Sequence, residues 1–222
     1  MAFRTSKFIY YHIPKTGGTW AKNAMLKAGI VYVRAKYYYG TSLNHPEKLI
    51  TAHKLGLKRE HETPVGVLDE DRHKLFSFTF VRSPLAWYKS FWAHRKIAPR
   101  LGATHRFALD WLMDENFEKF MINVLEKYPE GFLTKVYQLY LGERGDDLGY
   151  VGRQENLRED LITALNLAGE KFNKMIIRSE KKRNVFAGND FFKNSDLLKI
   201  SDELVKYLEE KEGWIMDTFY SI

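Results

Sequence analysis

The sequence contains no cysteine and no long hydrophobic run, and both absences limit what the chain can be. Without cysteine, its 222 residues can form no disulfide bond, no zinc–thiolate site and no thiol nucleophile. No apolar stretch is long enough to span a bilayer, and the residues before the first hydrophobic run lack the core of a signal peptide. These absences predict a soluble protein of a reducing compartment, which we expect to be the cytoplasm.

Proline is also scarce, and neither sign of charge dominates strongly. With 45% hydrophobic and 28% charged residues, the composition is that of an ordinary globular protein, and the length predicts a single domain over residues 1–222. The net charge of +7 favours anionic partners such as phosphate cofactors, nucleic acid or acidic glycans. Solubility alone explains a charge of this size equally well.

The segment KFIYYHIPKTGGTW at residues 7–20 predicts a strand, a tight turn and a helix. It begins with an aromatic and β-branched run that is typical of a buried strand, and the run breaks at Pro14. Apolar residues then recur at helical spacing through residues 21–28, and Gly29 supplies a stop.

The turn inside this segment has the features of an anion-binding loop. Gly17 and Gly18 let the backbone approach an anion, and the start of the helix points unpaired N–H groups and positive potential at it. Lys15 adds a cation, and the hydroxyls of Thr16 and Thr19 add donors. The pattern is not Walker A, because its lysine precedes both glycines. A strand–helix turn without a ligand is the alternative.

A second strand–helix junction is predicted around Arg82. Residues 76–81 alternate as a strand does. Ser83 as N-cap and a proline at the first helical position predict a helix over residues 84–97. The Arg82 guanidinium offers a planar fork suited to a phosphate, and Ser90 lies about two helical turns further on, within reach of the same group.

Strands that alternate with helices over the first hundred residues predict a parallel α/β sheet. Further short strands are predicted at residues 30–33 and 49–53. Lys15, His53 and Arg82 each follow a predicted strand, and in such sheets ligands bind at the carboxyl ends of the strands. We therefore expect these three residues to surround one crevice.

The second half of the chain is predicted to be mostly helical, with no repeats and no linker. Apolar spacing and capping residues predict helices over residues 107–128, 132–141, 157–168 and 201–212. Residues 174–178 are predicted to be a strand or extended segment, and residues 181–194 a loop.

The two junctions resemble the cofactor motifs of the sulfotransferases. HIPKTGGTW looks like their 5′-phosphosulfate loop, and FTFVRSPLAWYKS looks like their 3′-phosphate motif, in which a strand delivers an arginine and the next helix a serine. YVGRQENLREDL resembles a family segment of the form G-R-x-E-x-L-x-x-D, and residues 192–220 resemble the family's C-terminal ending. The resemblance implies a P-loop-like parallel β-sheet flanked by helices, with a mostly helical C-terminal half.

The PKTGGT form is closest to the carbohydrate sulfotransferases, including the heparan-sulfate 2-O type. Those eukaryotic enzymes are membrane-anchored and usually carry disulfides, whereas this chain resembles a soluble bacterial or viral relative. The resemblance implies transfer of a sulfuryl group from 3′-phosphoadenosine 5′-phosphosulfate to an acceptor hydroxyl, without a metal. A carbohydrate is the first choice of acceptor, and a small alcohol or phenol the second. No nucleic-acid motif is present, and the sequence does not indicate the oligomeric state.

The resemblance also implies which residues bind the donor. They lie in the matched motifs: Lys15, Thr16, Gly17, Gly18, Thr19, Trp20, Arg82, Ser90 and Arg153. A core position for Trp20 and a surface salt bridge for Arg153 are the alternatives at those two positions.

Two residues are predicted to be catalytic. Lys15 should offset the charge that develops on the leaving phosphate. His53 should be the base, because a catalytic histidine precedes the strand of the 3′-phosphate motif in the heparan-sulfate 2-O type, and an imidazole suits that task. Other branches use glutamate, so Glu60 and Glu62 remain candidates, whereas His12 is expected to pack within the first motif.

Two other functions compete with this interpretation. A P-loop phosphotransferase would share the strand–loop–helix geometry, but the G-K-[ST] sequence and an obvious Mg²⁺-binding aspartate are missing. A non-enzymatic basic module that binds nucleic acid or an acidic glycan would explain the charge but not the pair of motifs.

Overall fold

The computed structural model describes residues 2–35, 54–55, 63–64, 74–97, 108–181 and 195–221. The strands in these ranges are β1 (Ala2–Arg4), β2 (Phe8–Tyr11), β3 (Val33–Arg34), β4 (Phe76–Val81) and β5 (Tyr150–Arg153). The α-helices of six or more residues are α1 (Gly18–Lys27), α2 (Pro84–Ile97), α3 (Phe117–Lys127), α4 (Phe132–Leu141), α5 (Leu157–Leu167), α6 (Lys174–Ser179) and α7 (Asp202–Lys211).

The chain divides into two compact units. The first contains Met1–Arg82 and Tyr137–Lys182, and the second contains Ser83–Val136 and Arg183–Ile222. All strands named above belong to the first unit. The single domain expected from the chain length stays a prediction.

The sheet of the first unit has the strand order β3-β1-β2-β4-β5. Strands β2, β4 and β5 are parallel, whereas β1 is antiparallel to both β2 and β3. The predicted class, a sheet flanked by helices with a helical C-terminal half, is confirmed, but the sheet is mixed. The reason is a short turn, in which the Thr5 N–H donates to the Phe8 carbonyl at 3.0 Å. A turn of this length can join only antiparallel strands.

The register aligns the carboxyl ends of the three parallel strands. Tyr10 pairs with Phe78, which in turn pairs with Tyr150, and Val81 pairs with Arg153. The Thr79 hydroxyl also donates to the Tyr11 carbonyl at 2.6 Å, which ties the end of β2 to β4. The loops that follow these strands therefore leave the sheet along one edge.

Aromatic residues fill the core on one face of this sheet. The ring of Tyr10 stacks on that of Phe78 at 5.1 Å and meets Phe80 edge-on at 5.7 Å. Burial raises the pKa of the Tyr10 phenol. Helices α1, α5 and α6 complete the cluster with mainly aliphatic side chains, so the strand–loop–helix segment rests on a rigid base.

In the second unit, the buried carboxylate of Glu212 caps the N-terminus of α4. Glu212 accepts hydrogen bonds from the N–H groups of Leu133 and Thr134 at 3.0 and 2.7 Å. It also accepts from the hydroxyls of Tyr88 and Thr134. Burial raises the pKa of Glu212, and the four hydrogen bonds oppose that shift. The carboxylate thus serves as the N-cap of a helix that lacks an acidic residue in its own first turn.

Most helices predicted from the sequence are confirmed, and α2 and α4 have the predicted bounds. Residues 107–128 were expected to form one helix. Instead, a 3₁₀ segment at Ala108–Leu112 is separated from α3, because the side chain of Asn116 caps α3 by accepting from the Lys119 N–H at 3.0 Å.

Two further expectations differ from the structure, and one strand was not expected. Residues 174–178 form helix α6 and not a strand, because the Asn173 side chain accepts the first N–H groups of that helix. The short strand expected at residues 30–33 is displaced to β3, and β5 was missed. The predicted strand at residues 49–53 and the loop from 182 to 194 lie outside the described residues.

Among the described helices, none combines the length and the apolar character that crossing a membrane requires.

Candidate active site

The loop between β2 and α1 is held in an unusual backbone conformation. Lys15 has a φ of 67° and Gly17 a φ of 89°, both in the left-handed region. A non-glycine residue seldom occupies that region, and where it does the strain is often linked to function. The strained backbone at Lys15 therefore marks this loop as a candidate functional site.

Both glycines are required by their surroundings. A Cβ at Gly17 would lie 2.5 Å from the Leu157 Cδ2 atom, and a Cβ at Gly18 would overlap the His12 ring. His12 itself stacks on Tyr10 at 6.3 Å, in agreement with the packing role expected for it. The glycines therefore allow the loop to pack closely against Leu157 and His12, and the φ of 89° at Gly17 also favours glycine there.

The start of α1 presents donors to this loop. The first helical hydrogen bond runs from the Ala21 N–H to the Gly17 carbonyl at 3.1 Å, so the N–H groups of Gly18 and Thr19 precede the ladder. The side chain of Thr19 is exposed. The Thr16 hydroxyl, expected to be a donor for a ligand, instead donates to the Ile13 carbonyl at 2.8 Å and closes the turn. Thr16 is fully buried, so its side chain has a structural role in the turn.

Acidic residues are placed differently at the helix starts. Helices α3, α5 and α7 carry aspartate or glutamate in the first turn, and Glu212 reaches the start of α4. Helices α1, α2 and α6 have no acidic residue in the first turn, and the Asn173 side chain caps α6. The positive ends of α1 and α2 are therefore not offset by acidic side chains in their own first turns, which suits an external anion.

Arg82 contacts Lys15 in the loop between β2 and α1. It follows the last residue of β4, and its Nη1 donates to the Lys15 carbonyl at 3.3 Å across 67 positions of sequence. Both residues are half-buried. Arg82 of the second motif therefore contacts the first motif within the first unit, and its positive charge lies beside the backbone of the loop that leads into α1.

Arg153 ends β5 at the same sheet edge, with an exposed side chain. Its backbone N–H donates to Asp160 Oδ2 at 2.5 Å, and Asn156 donates to the other carboxylate oxygen at 2.7 Å. Burial, followed by the negative charge of Asp160, raises the pKa of Tyr150 to about 12. Asp160 thus fixes the backbone from which the Arg153 side chain projects.

Trp20 lies in the core of the first unit and is only 7% exposed. Its indole N–H donates to the Lys181 carbonyl at 3.1 Å. The structure therefore supports the alternative expected for this position, a packing residue, and a contact of Trp20 with a ligand stays a prediction.

The roles of the other predicted residues stay predictions. Ser90 is a half-buried residue of α2, in the second unit. His53, Glu60 and Glu62 lie outside the described residues, so the identity of the base stays a prediction. Within the described ranges, no group of three or more histidine or acidic side chains is placed to hold a metal ion.

Two residues of the site were not singled out from the sequence. Asp160 falls on the final position of the G-R-x-E-x-L-x-x-D segment, which was a usable signal. Tyr137, which hydrogen-bonds the main chain of Arg82, gives no signal, because a tyrosine within an apolar helix predicts only core packing.

Comparison with known proteins adds one finding. A model described as "Sulfotransferase family" matches residues 1–183, which include the loop, Arg82 and the Asp160 segment. Neither a curated protein nor a solved structure matches the chain.

Proposed function

We propose a donor and an acceptor for this chain, which belongs to the sulfotransferase family. The donor is 3′-phosphoadenosine 5′-phosphosulfate, and the acceptor is a hydroxyl of a carbohydrate. The observation that carries the proposal is the hydrogen bond from Arg82 to the Lys15 carbonyl. It brings together two motifs suited to anions, and that donor carries anionic groups at both its 5′ and 3′ ends. A chain that used a simple triphosphate would need only the first motif.

The loop would take the 5′-phosphosulfate. Backbone N–H groups of residues 16–19 and the positive end of α1 would bind its oxygens, since this helix carries no acidic residue in its first turn. Arg82 would bind the 3′-phosphate through its guanidinium, with Ser90 as a second donor. Arg153 supplies a further positive charge at the same sheet edge.

In the transfer step, the acceptor oxygen forms a bond to sulfur while the bond from sulfur to the 5′-phosphate oxygen breaks. His53 takes the acceptor proton, and adenosine 3′,5′-bisphosphate leaves. Charge develops on the bridging oxygen during this step, where the Lys15 ammonium would oppose it. The proposed reaction uses no metal ion.

The carbohydrate acceptor is proposed from the PKTGGT form of the loop. The absence of cysteine, in which this chain departs from the eukaryotic carbohydrate sulfotransferases, favours a reducing compartment, and we propose that the enzyme is cytoplasmic. We propose no nucleic-acid partner.

A transfer assay with sulfur-labelled donor tests this function. The wild-type chain and a Lys15→Met control would be incubated with glycans, phenols, small alcohols and lipids, and labelled products would be separated. We expect label on a glycan hydroxyl with the wild-type chain, and labelling slower by about 10²–10³ with Lys15→Met. Label on phenols alone would refute the carbohydrate acceptor. Transfer of phosphate in a parallel incubation with phosphorus-labelled ATP, without transfer from the sulfur-labelled donor, would refute the proposal as a whole.

Truncation of Arg82 should weaken binding of adenosine 3′,5′-bisphosphate. We expect Arg82→Ala to cost on the order of 2–4 kcal/mol of binding free energy, as is usual when one partner of a buried charge pair is lost. Calorimetry measures this directly. Arg178→Ala is the matched control, because Arg178 belongs to the same unit but pairs on the surface with Glu159 at 3.2 Å. Equal affinities of the wild-type and Arg82→Ala chains would remove Arg82 from the site.

A further inference from the structure

One buried hydroxyl holds the main chain of Arg82 on both sides. The Tyr137 hydroxyl accepts a hydrogen bond from the Arg82 N–H at 2.8 Å and donates one to the Arg82 carbonyl at 3.0 Å. Arg82 lies one residue beyond β4, where the pairing with β5 ends at Val81. The hydroxyl therefore takes over the hydrogen bonding of the backbone just where the sheet stops providing it.

The burial of Tyr137 makes this contact rigid. The residue is fully buried, and it lies in helix α4 beside the buried residues Val136 and Tyr140. A side chain fixed by packing on all sides has little freedom to move. The position of the Arg82 backbone is therefore set by a buried core residue as well as by the end of strand β4.

From Arg82 the contacts continue to the loop. Its guanidinium donates to the carbonyl of Lys15, the residue held at a φ of 67°. A carbonyl that accepts from a charged donor forms a stronger hydrogen bond than a neutral pair does, so this contact helps to keep the strained residue in place. A chain of three residues, Tyr137, Arg82 and Lys15, therefore connects the core to both anion motifs.

We propose that Tyr137 is a positioning residue of this site, which acts through Arg82 and touches no ligand itself. Its hydroxyl fixes the direction in which the Arg82 guanidinium projects, and through it the Lys15 carbonyl. The effect of Tyr137 on donor binding rests on the proposed function, whereas the hydrogen bonds between Tyr137 and Arg82 do not depend on it. Removal of the hydroxyl leaves two polar backbone groups in need of new partners, and the main chain shifts to find them. Displacements of this kind, of about 1 Å, commonly cost a site two orders of magnitude in rate.

The first test is independent of any ligand and follows the exchange of the Arg82 amide hydrogen. In the wild-type chain this amide should be protected. In Tyr137→Phe, which keeps the ring, protection should fall by about tenfold or more. Tyr140→Phe is the matched control, a buried tyrosine of the same helix, and it should leave the Arg82 amide unchanged. An unprotected Arg82 amide in the wild-type chain would overturn the inference, even if Tyr137→Phe failed to fold.

The second test is a double-mutant cycle on the affinity for adenosine 3′,5′-bisphosphate. Tyr137→Phe should weaken binding by about tenfold in the wild-type background and by less than about twofold in the Arg82→Ala background, because it acts through Arg82. Affinity for adenosine 5′-monophosphate, which lacks the 3′-phosphate, should fall by less, because only the indirect effect through the Lys15 carbonyl remains. A general loss of stability would instead weaken both ligands in both backgrounds, and that result would overturn the inference. If the wild-type chain binds neither nucleotide, the proposed function fails and the amide exchange alone decides the role of Tyr137.

Discussion

Replacement of Lys15 by methionine should lower kcat by about 10²–10³, the usual cost of removing one group that stabilises charge in the transition state. The KM for the donor should change only a few-fold, because the ammonium interacts most strongly with the charge that develops on the leaving phosphate. Methionine, like lysine, is strained at a φ of 67°, so the backbone cost is similar in the two chains. Steady-state kinetics at saturating acceptor measures both constants.

Lys22→Met is the control for this substitution. Lys22 is a half-buried lysine of α1 that lies 4.9 Å over the ring of Phe3, and burial lowers its pKa. Its loss removes a lysine from the same unit without touching the loop, and kcat should stay within about twofold of the wild-type value. If Lys15→Met raised KM and left kcat unchanged, Lys15 would be a residue that binds the donor and has no part in catalysis.

Replacement of His53 by alanine should lower kcat by roughly 10²–10⁴, the range expected for loss of a positioned base. The role requires a neutral imidazole, so the wild-type rate should rise with pH through a pKa of about 6–7 and then level off. This rise should disappear in His53→Ala. Affinity for adenosine 3′,5′-bisphosphate should barely change, because the proposed contacts to its phosphates belong to the loop, Arg82 and Ser90.

His94→Ala, at a half-buried position of α2, is the control for removal of a histidine, and it should keep both the rate and the pH profile. A different base would show itself clearly. If His53→Asn kept most of the activity while Glu60→Gln or Glu62→Gln abolished it, the base would be a carboxylate, and the rise of rate at low pH would survive in the His53 variant.

The strand–loop–helix segment could be predicted because each part has a strong local cause. An aromatic run, a proline and two glycines precede a helical pattern that ends at Gly29, whose φ is 90°. Helix α2 was predictable for the same reason: Ser83 accepts the first hydrogen bond of the helix, from the Trp87 N–H at 2.9 Å, and a proline follows it.

Of the errors, one arose where a capping residue outweighs the apolar pattern, and another where a strand is too short to show a pattern. The run at residues 174–178 reads as extended from its isoleucines, but Asn173 supplies acceptors for the N–H groups of Met175 and Ile176 and starts a helix. Strand β5 is only four residues long and contains a glycine, so its pattern is too short to predict. Strand β5 is stabilised by pairing with β4, which is distant in sequence, and the local pattern does not encode that contact.

The candidate site was predictable in its residue types but not in its connections. The sequence places Lys15 and Arg82 after strands, and the parallel register of β2 and β4 brings them together. The hydrogen bonds from Tyr137 to Arg82 span 55 positions of sequence, and no local pattern encodes them. Conversely, the Thr16 hydroxyl looked available in the sequence but is used inside its own turn.

The central claim is that the two motifs bind a nucleotide with anions at its 5′ and 3′ ends. Calorimetric titration of the wild-type chain with adenosine 3′,5′-bisphosphate and with ATP, each in EDTA and in Mg²⁺, tests it most directly. We predict that the bisphosphate binds more tightly than ATP by about tenfold or more, equally well with and without Mg²⁺. Equal binding of the two nucleotides, or binding that requires Mg²⁺, would contradict the claim and favour a phosphotransferase.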